Sequence, residues 1–413
     1  MTPSRTLATG RRPMIGRLTF LAVVALVASA CGGSTGGPTT KTPFRIGVIM
    51  PLSGSLASIG NDALAGIETE ASILNRQGGI LGRPIEIEKR DDAGDPNRGR
   101  AAAQDLIENQ HVSAMFDDVL PPVMTAVLPL LTQSKVLALS GTGNETVADP
   151  TKYPYSFTYG IPFAARPASV VAALEKLGAS RVAVISSSDS NGVTIGDLDV
   201  AAIRKAGLTV TGYEKYDLTA KDVTPQLQRL KGGNPDTVVY YAGGTLGSVV
   251  MGGVRDLGWN VRILADPAST SSDLAQTVPQ ELAGQWYGVA FRMVARAGDT
   301  EVDPAFRGFV EALQNQHRSF TNLITPVAYA DQLKLMKWAF DQAGRSDGVA
   351  ATRALERLKS SSLPRGYLMW VANPRYSGTA HTAINGDFKD SFALIRLSPV
   401  VAGTYKGQPL PVT

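Results

Sequence analysis

Residues 44–88 read FRIGVIMPLSGSLASIGNDALAGIETEASILNRQGGILGRPIEIE, and the order of patterns in them decides the fold. Phe44 to Met50 is a short β-rich run ended by Pro51, which cannot donate to a strand ladder. From Asn61 to Gln77 the apolar residues Leu64, Ile67, Ala71 and Leu74 recur at intervals of 3, 4 and 3, one face of an amphipathic helix. Gly78-Gly79 stops that helix. Ile85 to Glu88 then alternates apolar and charged residues, as a strand does. Strand, helix and strand in so short a stretch make a right-handed parallel crossover.

The unit repeats toward the C-terminus. Asp95-Pro96-Asn97 opens a helix, with aspartate as cap and proline tolerated in the first turn; Ala101–Ala103, Leu106 and Ile107 form its inner side. Val112 to Phe116 is a strand, Pro121-Pro122 opens a helix to about Gln133, and Val136 to Ser140 is a strand. The rhythm then restarts. Strands are expected at Tyr155–Tyr159, Arg181–Ser186, Leu208–Tyr213, Thr237–Tyr241 and Val261–Ala265, with helices at Phe163–Leu177, Asn191–Ala206, Thr224–Leu230 and Leu246–Leu257 between them. Two such series predict two lobes, and no residue-level repeat links them. After Trp286 the pattern turns helical, at Ala305–Gln316, Pro326–Ala343 and Gly348–Lys359, and these helices are expected to return and cover the first sheet. Ser391 to Leu397 is the clearest strand of the last stretch.

Toward the N-terminus, Arg5, Arg11, Arg12 and Arg17 precede an apolar run from Leu18 to Ala30. The run is short for a permanent membrane span. A basic start, a short apolar stretch and a small-residue end read as a secretory signal peptide. Val27-Ala28-Ser29-Ala30-Cys31-Gly32 resembles a bacterial lipobox, and Cys31 is the only cysteine of 413 residues. The resemblance implies a diacylglyceryl thioether at Cys31, whose acyl chains hold the protein on a membrane. An ordinary signal peptide with a chance cysteine is the alternative. Residues 31–42 are polar and glycine-rich, a flexible tether. Their Gly32-Gly33-Ser34-Thr35-Gly36 matches a hydrolase pattern, without the strand and helix that pattern needs. The net charge of +4 equals the four arginines of the leader, so the mature chain is neutral and no nucleic-acid partner is implied.

A family is recognisable at this point. Ile46-Gly47-Val48-Ile49-Met50-Pro51-Leu52-Ser53-Gly54 resembles the opening of the branched-chain amino-acid (Leu/Ile/Val)-binding proteins of ABC transporters. Asn75 to Ile87 (NRQGGILGRPIEI) resembles their first-crossover motif, Asp91-Asp92-Ala93-Gly94-Asp95-Pro96 continues in register, and Asn234 to Gly244 resembles their fifth-strand region. The resemblance runs from about residue 44 to 395. It implies an α/β, type I periplasmic binding protein fold: two doubly wound parallel-sheet lobes joined by a three-crossing hinge. Lobe one would be 44–160 plus 288–372, and lobe two 161–287 plus 373–400. It further implies a lipid-anchored, extracytoplasmic monomer that captures a small solute and passes it to ABC permease subunits, with no cofactor and no metal.

Ligands of open α/β sheets bind beyond the carboxyl ends of the strands, which makes Ser53, Asp118, Ser140, Gly141, Thr142, Asn144, Asn191, Tyr241, Gly243 and Asp266 the candidate contacts. The resemblance places small polar anchors for a ligand carboxylate at Thr142 and Asn144, an aromatic neighbour at Tyr241 and a counter-ion for an ammonium at Asp266. Pro121-Pro122 stands where the family has serines, Asp117-Asp118 adds negative charge, and Ile59 and Asn191 stand where it has aromatics. These departures predict a ligand unlike leucine, neutral or cationic. Each residue also has a plainer reading: Thr142 as a turn residue, Asp118 as a helix cap, Asp266-Pro267 as an ordinary turn. Trp259, Trp286, Trp338 and Trp370 are expected in the core.

Two other functions compete. An enzyme would need chemistry the chain does not present: His111, His317 and His381 have no partner at metal-ligand spacing, and Gly141-Thr142-Gly143 lacks the third glycine of a dinucleotide motif. A ligand sensor of the same fold, signalling to a receptor, is not distinguished from a transporter subunit by sequence.

Overall fold

The computed structural model describes residues 41–54, 56–117, 120–160, 162–241, 246–267, 269–270, 280–282, 284–291, 295–296, 304–316, 320, 323–364, 367–370, 374–383, 392–396 and 405–409. The residues from Lys41 onward form one compact unit. Cys31 and the whole leader lie outside the described residues.

The quoted crossover forms as read. β1 (Phe44–Met50), α1 (Ala57–Arg76) and β2 (Ile85–Asp91) lead into α2 (Pro96–Glu108), β3 (Ala114–Phe116), α3 (Pro121–Ser134), β4 (Leu137–Ser140) and β5 (Ser156–Thr158). The first sheet has the order β2-β1-β3-β4-β5, every pair parallel. Asp95 caps α2, its carboxylate accepting from Asn97 N (2.8 Å) and Arg98 N (3.0 Å). Glycine is required in the turn after α1: Gly79 has φ +71°, and a Cβ there would lie 1.8 Å from the Arg83 carbonyl oxygen.

The second sheet is built from β6 (Arg181–Ser187), β7 (Thr209–Tyr216), β8 (Thr237–Tyr241), β9 (Arg262–Ala265) and β10 (Trp286–Phe291), with α4 (Arg166–Lys176), α5 (Ser190–Lys205), α6 (Thr224–Gly232) and α7 (Leu246–Asp256) in the crossovers. β11 (Ala295–Arg296), β12 (Phe392–Arg396) and β13 (Tyr405–Pro409) complete it in the order β11-β13-β12-β10-β9-β8-β6-β7. β12 runs antiparallel to β10 and β13 antiparallel to β12. At α6 the first amide is taken by Asp222, which accepts from Thr224 N (2.8 Å).

The later helices return to lobe one: α8 (Pro304–Asn315), α9 (Ile324–Ala343) and α10 (Gly348–Glu356). α9 packs backbone to backbone on α1, since a Cβ on Gly66 would meet the Pro326 carbonyl oxygen at 2.1 Å. It also grips the quoted turn, Lys337 Nζ donating to Gly79 O (2.7 Å) and Leu81 N to Asp341 (2.9 Å).

Two expected boundaries move. The return at 288 falls inside β10, which pairs with β9 and β12 and keeps the chain in the second sheet through Phe291. Residues 374–383, expected in lobe two, lie on the edge of the first sheet. Thr158 N donates to His381 O and Ala383 N to Thr158 O (2.9 Å each), and the His381 ring stacks on Phe157 at 3.8 Å. Sheet-edge pairing therefore keeps this segment with lobe one.

Trp370 wedges the crossings. It meets Tyr159, just past β5, edge to face (5.4 Å, 79°) and Phe291, the end of β10, likewise (5.0 Å, 84°). Asp331 of α9 fixes the wedge from behind: it accepts from Tyr159 OH (3.0 Å), Met369 N (2.9 Å) and Trp370 N (2.7 Å). Trp259 and Trp286 are buried; Trp338 and Trp370 are half-buried against the core.

Candidate functional site

Parallel strands put all their carboxyl ends on one side of each sheet. In lobe one these ends are Met50, Phe116 and Ser140; in lobe two, Ser187, Tyr241 and Ala265. The first crossing ties the two sets together. A Cβ on Gly160 would lie 2.2 Å from the Thr142 carbonyl oxygen, and Phe163 N donates to Gly143 O (3.0 Å). The loop after β4 thus abuts the hinge, six residues before Arg166 opens α4.

In lobe one, Ser53 is exposed and belongs to a loop clamp. Its hydroxyl donates to Asp91 Oδ2 (2.7 Å), while Leu52 N and Ala93 N donate to Oδ1 (2.9 Å each). Burial works against this charge, yet the Ser53 hydroxyl, the two amides and Arg98 hold the Asp91 carboxyl below its usual range. Ser140 is buried and its hydroxyl has no partner among the described residues. Gly141 N donates to Tyr329 OH (3.1 Å), and a Cβ on Gly141 would come within 2.9 Å of the Tyr329 ring. Thr142 Oγ1 accepts from Asn144 N (3.2 Å), and Asn144 Oδ1 accepts from Thr146 N (3.0 Å) and Oγ1 (2.7 Å). Both side chains bond within the turn. With those oxygens accepting, the donors of each side chain are the Thr142 hydroxyl proton and the Asn144 amide N–H groups. Asp118 lies outside the described residues; its neighbour Asp117 is buried, its amide donating to Leu139 O (3.2 Å).

In lobe two, Asp189 caps α5, accepting from Asn191 N (3.1 Å) and from the Ser187 hydroxyl. Asn191 Oδ1 is buried without a partner. Tyr241 is half-buried, its carbonyl accepting from Tyr216 OH (2.9 Å). Burial raises the Tyr241 hydroxyl, which Arg166 opposes and Asp189 and Asp266 reinforce. Asp266 is wholly buried just past β9, held by Asp266 N donating to Tyr240 O (3.0 Å). Gly243 lies outside the described residues.

Two residues that sequence reading passed over complete this end of the cleft. Arg166 lies over the Phe163 ring (4.9 Å) with its side chain 12% exposed, and its Nη1 sits 3.7 Å from Asp266 Oδ1. Its Nε and Nη1 are buried and make no hydrogen bond among the described residues. Asp199 of α5 is 1% exposed, and neither carboxyl oxygen has a hydrogen-bond partner among the described residues. Burial, and then the Asp266 charge, push the Asp199 carboxyl well above its usual range, against the pull of Arg166. Burial thus disfavours the ionised form of Asp199. Asp266 does not wait for an ammonium: Arg166 already faces its charge.

Sequence held two faint signals for them. An arginine in the first turn of a helix opposes the helix dipole, so Arg166 is placed there at a cost. Asp199 falls between Ile195 and Ile203, four residues from each, on the buried side of α5. Among the described residues, no group of three His, Cys, Asp or Glu could hold a metal ion, and no helix is long and apolar enough to cross a membrane.

Comparisons with known proteins agree with this geometry. The family model described as periplasmic binding protein matches residues 43–385. A Brucella melitensis protein named Leu/Ile/Val-binding protein homolog 3 is 26% identical over 313 residues, covering 75% of this chain and 81% of that one. A periplasmic binding protein type 1 from Bordetella pertussis Tohama I superposes with a TM-score of 0.74 at 20% identity, over 89% of this chain and all of the other. A solute-binding protein of an ABC transporter from Rhodopseudomonas palustris BisB5, in complex with 3,4-dihydroxybenzoic acid, superposes with a TM-score of 0.73 at 19% identity, over 89% of this chain and 98% of the other. The match of the family model over most of the chain, on a two-lobed fold whose strand ends face a common hinge, makes this chain a member of the periplasmic binding protein family.

Proposed function

We propose that this protein is the capture subunit of an ABC importer, closing its two lobes over a small organic solute that carries a carboxylate. The observation that carries the ligand class is Arg166. Its guanidinium is nearly buried at the lobe-two strand ends, and two of its nitrogens make no hydrogen bond among the described residues. A buried guanidinium with unfilled donors is costly unless an acceptor arrives, and a carboxylate fits its planar fork. Thr142 and Asn144 supply neutral donors from the opposite side of the hinge. The relatives are named for branched-chain amino acids, and the BisB5 structure holds a dihydroxybenzoic acid; both ligands bear a carboxylate. Pro121-Pro122 and Asp117-Asp118 had favoured a neutral or cationic ligand, and Arg166 turns that balance. Hinge closure about residues 160–162 buries the solute. In the same reading the protein works outside the cytoplasm as a monomer, tethered through a lipid on Cys31, and hands its ligand to permease subunits.

Isothermal titration tests this. Leucine, 4-hydroxybenzoate and 3,4-dihydroxybenzoate are compared with leucinamide and 4-hydroxybenzamide. At least one acid is expected to bind while its amide does not. Tight binding of an amide with no response to any acid would refute the carboxylate assignment.

A further inference from the structure

Lobe one carries a second recess, away from the strand ends. Glu70 lies thirteen residues along α1 from Ala57, roughly 20 Å down a helix that rises 1.5 Å per residue. There a groove of about 420 Å³ opens between α1, α8 and α9. Ile73, Leu74 and Phe309 are its apolar walls, and Glu70, Lys334 and Tyr367 its polar floor. Glu70 is 2% exposed and makes no hydrogen bond among the described residues. Its nearest cation, Lys334 Nζ, is 4.0 Å away, and that ammonium lies closer to Asp331 at 3.7 Å. One buried ammonium thus faces two buried carboxyls. Asp331 is met by the hydrogen bonds of Tyr159, Met369 and Trp370; Tyr367 spends its hydroxyl on Lys334 O (3.0 Å), and Arg76 on the rim donates to Ser72 Oγ (3.0 Å). Glu70 is left with one long ion pair, to Lys334 at 4.0 Å, and no hydrogen bond from the groups around it.

We propose that this recess is a second ligand site, taking a small primary amine with an apolar body. The ammonium meets Glu70, and the body lies on Ile73, Leu74 and Phe309. Hydrogen bonding selects the class. Lys334 and Arg76 already face Glu70 and Asp331 in charge, but neither donates a hydrogen bond to Glu70; an incoming ammonium can, and a carboxylate cannot. Burial raises the Glu70 carboxyl to about 7, with Lys334 and Arg76 pulling it down and Asp331 pushing it up. Amine binding therefore strengthens as pH rises through 7, by about tenfold from pH 6 to pH 8.5, as the ionised fraction of Glu70 grows.

Phenethylamine is the probe, titrated calorimetrically into the purified protein beside phenethyl alcohol and 3-phenylpropionate. The expected result is one site for the amine, tighter at pH 8.5 than at pH 6, with neither control binding. Glu70→Gln should weaken it at least tenfold and remove the pH dependence. Gly308→Leu should block it: a Cβ at Gly308, on the groove wall, meets nothing within 4 Å, so the leucine can enter the groove without clashing. Arg166→Gln, at the cleft, should leave the amine affinity unchanged. No amine binding at millimolar concentration, equal binding in Glu70→Gln, or loss in Arg166→Gln would each overturn the site. None of these outcomes depends on what the cleft binds.

Discussion

Two buried aspartates, one in each lobe, are treated in opposite ways. Asp331 stands behind the hinge wedge in lobe one, and its carboxylate accepts from Tyr159, Met369 and Trp370, with Lys334 at 3.7 Å. Asp199 stands beneath the strand ends of lobe two, and neither oxygen has a hydrogen-bond partner among the described residues. Both are buried to within 1% of full exclusion from solvent. The first is charged structure: each donor around it would be orphaned by its loss. The second is an acid whose ionised form burial and the Asp266 charge disfavour, in a loosely filled cluster with Arg166 and Asp266. Saturation marks the side of the hinge that must stay fixed. Unfilled valence marks the side where a ligand completes the set.

The widest gap between the two should appear on truncation. Asp331→Ala takes a hydrogen bond from the Tyr159 hydroxyl and leaves the amides of Met369 and Trp370 without their acceptor, so a stability loss of about 3–5 kcal/mol is expected, read from urea unfolding. A loss below about 1 kcal/mol would mean the wedge is not anchored there.

The pH dependence sharpens the same contrast. Burial raises the Asp331 carboxyl to about 6, against the pull of Lys334 and its hydrogen bonds. A group raised in the folded state binds more protons there than when unfolded, so its contribution falls as pH climbs from about 4 to 6 and is level above that. Wild type should therefore gain on Asp331→Asn as the pH is lowered from 7.5 to 4.5, by about 3 kcal/mol at most. Parallel stability profiles for the two proteins would remove Asp331 as the titrating group.

The hinge turn comes next. Gly160→Ala forces a Cβ to within 2.2 Å of the Thr142 carbonyl oxygen, and the backbone of the β4 loop must give way. About 1–3 kcal/mol of stability should be lost, together with weaker solute binding, because Thr142 moves with its carbonyl. A variant with unchanged stability and affinity would show that the loop does not press on the hinge.

The smallest effect is expected at Asp199. Asp199→Asn keeps the shape of a side chain whose ionised form burial disfavours, so stability at pH 7 should change by less than about 1 kcal/mol. A loss above 2 kcal/mol would show that Asp199 is ionised in the folded protein.

How much of this was legible in sequence differs between the lobes too. In lobe one, the turn from Gln77 to Pro84 announces itself, because glycine alone tolerates the backbone at Gly79 and its proximity to Arg83. Strand and helix periods gave β1, β2, β8 and most helices within a few residues. The strands β10 and β13 were missed: β10 opens at Trp286, where the sequence was read as turning helical, and β13 joins the sheet through the antiparallel β12 and the two-residue β11. The edge position of residues 374–383 depends on pairing with Thr158, a contact across more than two hundred residues that local pattern does not encode. The candidate contacts suffered in the same way. Thr142, Asn144, Asn191 and Asp266 were named as candidates because they follow strands. Arg166 and Asp199 were not, because a helix start and a helix face look ordinary until the tertiary fold brings them to Asp266.

The most direct test is an isothermal titration of the compact unit from Lys41 onward, wild type against Arg166→Gln, with the tightest carboxylate found in the panel. Arg166→Gln should weaken binding at least a hundredfold while the protein still unfolds cooperatively. Equal affinity in the two proteins would contradict the account, leaving the fold standing and taking Arg166 out of the binding site.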